Sequence, residues 1–207
     1  MSPRRVRGPL PWLAAALAAC PGAAFAQAAG QMGDAMTPAP GAATALDPEH
    51  SRFGFELRTR WGQRIEGNFP GYEGSVTVLA DGRRQVRIRL ATASVEVKGP
   101  SRYARFARGP SFLDAGRHPW VEFTSEPYAG EMVRAGGPLR GTLNLHGVTR
   151  PETFTLKPSA CERPAYECDV VAYGRVDRAQ YGLQTWRWAV QDEVRFNLRV
   201  RWLEGAP

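Results

Sequence analysis

The sequence predicts an all-β domain of about eight short antiparallel strands wrapped around one apolar interior. Three observations carry this. Apolar and polar residues alternate along most of the chain after residue 45, and a period of two puts the apolar set on one face of a strand. Gly, Pro, Asn and Asp punctuate these runs at short intervals, the pattern of a sandwich or barrel. No strand–helix–strand alternation and no internal repeat interrupts them.

The clearest unit is Gly141 to Leu156. Leu143 and Leu145 alternate with Thr142, Asn144 and His146, and Phe154 and Leu156 alternate with Thr153, Thr155 and Lys157. Gly147 to Pro151 breaks the pattern between them. Two alternating runs joined by a short Gly-containing turn read as a β-hairpin.

The chain begins differently. Arg4, Arg5 and Arg7 precede the apolar run Leu10 to Ala19, Pro21-Gly22 interrupts it, and Ala24-Phe25-Ala26 is a small-residue cleavage pattern. Residues 1–26 therefore read as a secretory signal peptide, too short for a transmembrane span. Leu17-Ala18-Ala19-Cys20 also resembles a bacterial lipobox, which would anchor the protein through lipid on Cys20. Pro21 is an awkward neighbour for that processing, and the Ala-x-Ala site explains the segment without it. The expected location is periplasmic or secreted. Residues 27–44 are rich in Ala, Gly and Pro and read as a flexible linker. The domain is expected over 45–205.

The net charge of the whole chain is +7, and loss of residues 1–26, with three Arg and no acidic residue, would leave +4. The remaining Arg residues alternate with apolar ones and form no block. That describes a solvated sheet face, not a nucleic-acid surface.

Within the domain, Phe53, Phe55 and Leu57 alternate with Arg52, Glu56 and Arg58. Trp61 to Phe69 continues extended, Gly67 to Gly74 reads as a bend, and Val76 and Val78 begin the next strand. Asp81-Gly82 is a hairpin signal. Gln85 to Val97 reads as one long strand with Val86, Ile88 and Leu90 on one face. Lys98 to Pro119 has no strict period and holds Tyr103, Phe106, Phe112 and Leu113 among Arg102, Arg105 and Arg108. A connection this long reads as a partly helical lid or an end plug. Val121 and Phe123, then Val170 and Ala172, mark two further strands. Trp186 and Trp188 lie in an extended or looped stretch. The last strand alternates Val194, Phe196, Leu198, Val200 and Trp202 with arginines and Asn197.

Cys161 and Cys168 form an even pair, which in an oxidising compartment reads as a disulfide. Two cysteines without a neighbouring His or second Cys pair do not fill a metal site. His50, His118 and His146 are far apart and in no ligand spacing, so they read as turn or surface residues. There is no Gly-x-Ser-x-Gly elbow and no phosphate-cradling loop. The sequence thus points away from an enzyme and names no metal or cofactor. The expected interior lining is Phe53, Phe55, Val86, Ile88, Leu90, Phe123, Leu143, Leu145, Phe154, Phe196 and Leu198, with Phe106 and Phe112 from the long connection. An eight-stranded barrel is filled by such side chains or holds one small ligand.

A set of short motifs makes the reading more specific. They are Leu46-Asp-Pro-Glu-His-Ser51, Gly67-Asn-Phe-Pro-Gly-Tyr-Glu-Gly74, Ala93-Ser-Val95, Phe112-Leu-Asp114, His118-Pro119 and Phe123-Thr-Ser125. Gly141-x-Leu-x-Leu-x-Gly-Val-Thr-Arg-Pro151 and Arg178-Ala-Gln-Tyr-Gly182 follow. In this order they resemble the YceI family of secreted lipid-binding proteins, from about Leu46 to Leu203. The resemblance implies an eight-stranded antiparallel lipocalin-like barrel with an apolar channel for a polyisoprenoid or related long-chain lipid. It brings no catalytic residues. Phe106 stands where the family usually has a His, and Gly109-Pro110 near its Ser. Arg105 and Arg108 could still meet a phosphate head group, which suits guanidinium geometry. An interaction module of the envelope, or an enzyme acting on lipid, is the alternative.

Overall fold

The computed structural model describes residues 46–203. The expected signal peptide, the linker and Cys20 lie outside them. The described chain forms one antiparallel sheet of ten strands: β1 (Arg52–Thr59), β2 (Arg64–Asn68), β3 (Tyr72–Val78), β4 (Arg84–Ala91), β5 (Glu96–Val97), β6 (Trp120–Ser125), β7 (Gly137–Leu145), β8 (Val148–Leu156), β9 (Val170–Asp177) and β10 (Val190–Val200). Helix α1 (Ser101–Arg108) lies between β5 and β6, and α2 (Met132–Ala135) between β6 and β7. The strand order is β3-β4-β6-β7-β8-β9-β10-β1-β2-β5. Among the described residues no helix is long and apolar enough to cross a membrane.

The connectivity forces this sheet to curl. β2 and β3 lie near opposite ends of the strand order, yet only Phe69, Pro70 and Gly71 separate them. β4 and β5 are joined across the same gap by a 3-10 turn, Thr92–Ser94. The two connections meet: Ala91 N donates to Gly71 O at 2.8 Å and Gly71 N donates to Ser94 Oγ at 3.0 Å. A Cβ on Gly71 would stand 2.9 Å from Ser94 Oγ, so the crossing requires glycine.

Ten strands replace the eight expected. Gln85 to Val97 is not one strand, because Ser94 Oγ donates to Ala91 O at 2.7 Å and Thr92 Oγ1 donates to His118 O at 2.7 Å. Such side-chain bonds offer the backbone an alternative to the ladder. Val95 and Val97 belong to the far side of this break. The hairpin of β7 and β8 is also tighter than expected. Its turn is His146-Gly147 alone, with φ of 53° and 76°, and Asn144 and Leu145 pair with Thr149 and Val148. Pro151 does not break the pattern but lies within β8. There it is paired with β7, while β8 meets β9 only at Thr155 and Leu156. A proline lacking its N–H fits a stretch with an open edge.

The alternation lays Phe53, Leu57, Ile88, Leu90, Leu143, Leu145, Phe154, Val176 and Phe196 inside. The outer face carries ion pairs such as Arg87–Glu122 and Arg89–Glu73, both 2.8 Å. Exposed pairs of this kind contribute about 0–1 kcal/mol each. Cys161 and Cys168 are bonded as expected. They clasp the loop between β8 and β9, which closes over one end of the curl: Trp202 N donates to Ala165 O at 2.7 Å.

Candidate ligand cavity

The interior is divided by aromatic rings. Phe154 meets Phe123 edge to face, centroids 4.8 Å apart, and Phe196 at 6.1 Å. These rings lie against glycine backbone. A Cβ on Gly141 would fall 2.6 Å from Phe123 Cζ, and one on Gly174 2.5 Å from Phe154 Cδ1. The strand glycines therefore make room for rings from neighbouring strands.

On one side of this ladder lies a cavity of about 270 Å³. Of the predicted lining, Phe55, Phe106, Phe112, Leu145 and Phe196 face it. On the other side lies a cavity of about 190 Å³, faced by Phe53, Val86, Ile88, Phe123, Phe154 and Leu198. Leu90 and Leu143 border a void of about 40 Å³ between them, whose walls include Phe154 and Phe196. The predicted apolar residues therefore line two compartments and the small void between them, with Phe106 exposed at the mouth of the larger.

The two arginines expected at a head group are placed differently. Arg105 is exposed on α1 and lines neither cavity. Arg108 gives its Nε and Nη2 to the Val95 carbonyl, at 3.1 and 3.0 Å, which ties α1 to the segment after the 3-10 turn.

The cation in the wall of the larger cavity is Arg178, which the sequence offered as part of a motif but not as an interior residue. It is 0% exposed and lines the larger cavity. Its Nη1 donates to Leu183 O at 2.7 Å and Thr185 O at 2.9 Å, and its Nε to Gln191 O at 3.1 Å. Asp192 Oδ1 lies 3.4 Å from Nη2. Burial pulls the guanidinium below its usual range, and the Asp192 charge opposes this. Asp177 positions the residue by accepting from Ala179 N at 2.9 Å at the start of a 3-10 turn, Arg178–Tyr181. The readable signal was parity: Val176 points in and Asp177 out, so Arg178 points in. At the end of that turn Tyr181 is buried, and its hydroxyl donates to Glu152 Oε1 at 2.8 Å. Burial and then the Glu152 bond push the Tyr181 hydroxyl well above the usual phenol range.

The mouth of the larger cavity is aromatic. Tyr103 and Phe106 of α1 face Trp186 across it, and the Phe106 and Trp186 centroids are 6.1 Å apart. Trp188 stacks beyond Trp186 at 5.5 Å and is 72% exposed.

The family model of the YceI-like domain matches residues 45–202. The chain belongs to the YceI-like family. Two solved structures share the fold. BcnA from Burkholderia cenocepacia superposes with a TM-score of 0.62 at 18% identity, over 75% of this chain and 98% of BcnA. A polyisoprenoid binding domain from Saccharophagus degradans, implicated in plant cell wall breakdown, superposes with a TM-score of 0.58 at 14% identity, over 78% of this chain and 99% of that domain. A search of curated proteins finds no match.

Proposed function

We propose that this YceI-like protein is a periplasmic or secreted carrier that holds a polyisoprenoid or related long-chain apolar lipid inside the curled sheet. The observation that carries this is the larger cavity. Its volume is about 270 Å³, its walls are aliphatic and aromatic, and its one charged group, Arg178, already has its donors on backbone carbonyls. A site of this composition favours an apolar chain, because a polar ligand would lose its hydration without gaining partners. The apolar end enters first, past Tyr103, Phe106 and Trp186, and the polar end stays at the rim. The similarity to a polyisoprenoid binding domain agrees with this cargo, and the signal-like residues 1–26 support the location.

The test is to purify the protein from periplasm, extract it with organic solvent and identify the extract by mass spectrometry, then to titrate stripped protein with prenyl lipids. A stoichiometric long-chain lipid is expected. An empty extract together with failed prenyl binding would sink the carrier reading and favour an interaction module, anchored through Cys20 if that residue carries lipid. An enzymatic reading would need several polar groups aimed into the cavity; Arg178 and the Tyr103 side chain are the polar residues among its described lining.

A further inference from the structure

Two of the three histidines read as unrelated in the sequence are brought together by the fold. The His118 and His146 rings lie 4.5 Å apart. With Asp114 they form a group in which one donor atom from each residue lies within 4.8 Å of the others. We propose that Asp114, His118 and His146 form a binding site for a divalent transition ion of the zinc type. This inference is independent of the lipid-carrier reading.

The local backbone is built to bring these donors together. Asp114, with φ of 45°, and His118 stand four residues apart in a turn in which His118 N donates to Asp114 O at 2.8 Å. Thr92 Oγ1 clamps that turn by donating to His118 O at 2.7 Å. His146 arrives from the opposite direction, at the left-handed first position of the β7–β8 turn. Gly147 follows it, and a Cβ there would stand 2.7 Å from His118 Cε1. The glycine thus serves the turn and also lets the His118 ring approach.

The donors are also poorly occupied by protein. Asp114 is 9% exposed, yet among the described residues the cation paired with its carboxylate is Arg117, at 3.8 Å and 82% exposed. That separation is too long for a hydrogen bond. Among the described contacts no side-chain hydrogen bond joins the three residues; the bond between them is the backbone one from His118 N to Asp114 O.

Two imidazoles and one carboxylate suit zinc and its borderline neighbours. Zinc bonds of 2.0–2.1 Å place tetrahedral ligands about 3.3 Å apart, so closing the site takes a contraction of about 1.5 Å at most. Rotation of the half-buried imidazoles supplies it. Three protein ligands would leave a position for water or an outside ligand. Leu113 and Leu145, the neighbours of Asp114 and His146, line the larger cavity. An ion here would tie the turn after α1 to the β7–β8 hairpin just outside that wall.

The test is calorimetric titration of untagged, chelator-stripped full-length protein with zinc chloride. One ion per chain is expected. His146→Asn, which keeps a residue tolerant of the left-handed turn, and His118→Gln should each weaken binding about tenfold or more. His50→Gln, which removes a histidine paired only with Asp47, should leave binding unchanged. Circular dichroism checks that each variant is folded. No zinc binding by the unaltered protein, or equal binding by the His118 and His146 variants, would overturn the proposal.

Discussion

Replacing Phe154 by Ala should join the two compartments of the interior. Phe154 is 4% exposed, and it bounds both the smaller cavity and the 40 Å³ void. Across that void, Phe196 belongs to the wall of the larger cavity. Loss of the Phe154 ring therefore opens a passage where the aromatic ladder stood. Truncating a buried Phe to Ala costs about 3–5 kcal/mol, part of it the two edge-to-face contacts at about 0.5–1.5 kcal/mol each. That is a large fraction of the roughly 5–15 kcal/mol that holds a domain together. Phe154→Leu, with a smaller deletion, should cost less and serves as the folded companion. Urea unfolding measures the cost. Binding of a series of prenyl or acyl chains of increasing length measures the passage. The unaltered protein should gain affinity with length until the larger cavity is filled and then stop gaining. Both variants should move that limit to longer chains. Saturating lipid at 100 times Kd would return about 2.7 kcal/mol of the lost stability. An identical length limit in all three proteins would refute the reasoning, since the ladder would then be no barrier.

Arg178→Met should cost about 3–5 kcal/mol in urea unfolding, because it strands the buried Leu183 carbonyl and leaves Asp192 without its buried partner; a loss under about 1 kcal/mol would show that this carbonyl finds water instead. Reducing Cys161–Cys168 should lower stability by about 2.5 kcal/mol in the loop-entropy picture. It should leave affinity for a chain in the larger cavity unchanged, since the clasped loop closes the other compartment. For Tyr181 the folded state favours the neutral phenol. Its contribution is therefore full below about pH 10 and is lost as pH rises toward the higher folded value. Thermal melts should fall above that pH, and Tyr181→Phe should remove this slope at a cost of about 1.5–3 kcal/mol for the lost bond to the Glu152 carboxylate. A slope that persists in the variant would assign it to another group.

The elements legible in the sequence were those fixed by neighbours in the chain. The period-two runs around Phe53, Ile88, Leu143, Phe154 and Phe196 determined which side chains face inward, because the strand pleat alternates faces whatever the strand pairs with. Asp81-Gly82 determined a turn because Gly82 supplies the positive φ of 81° that the turn needs. The even cysteine pair was equally local. The break between β4 and β5 was not, since it depends on Ser94 meeting Gly71 and on Thr92 meeting His118. Arg178 opened a motif in the sequence but carried no assigned role; only the carbonyls of Leu183, Thr185 and Gln191, folded over it, make a buried charge tolerable. The division of the interior by Phe123, Phe154 and Phe196, and the meeting of Asp114 and His118 with His146, were likewise decided by the tertiary structure. Alternation says that a side chain points inward, but strand order and register decide what it meets there.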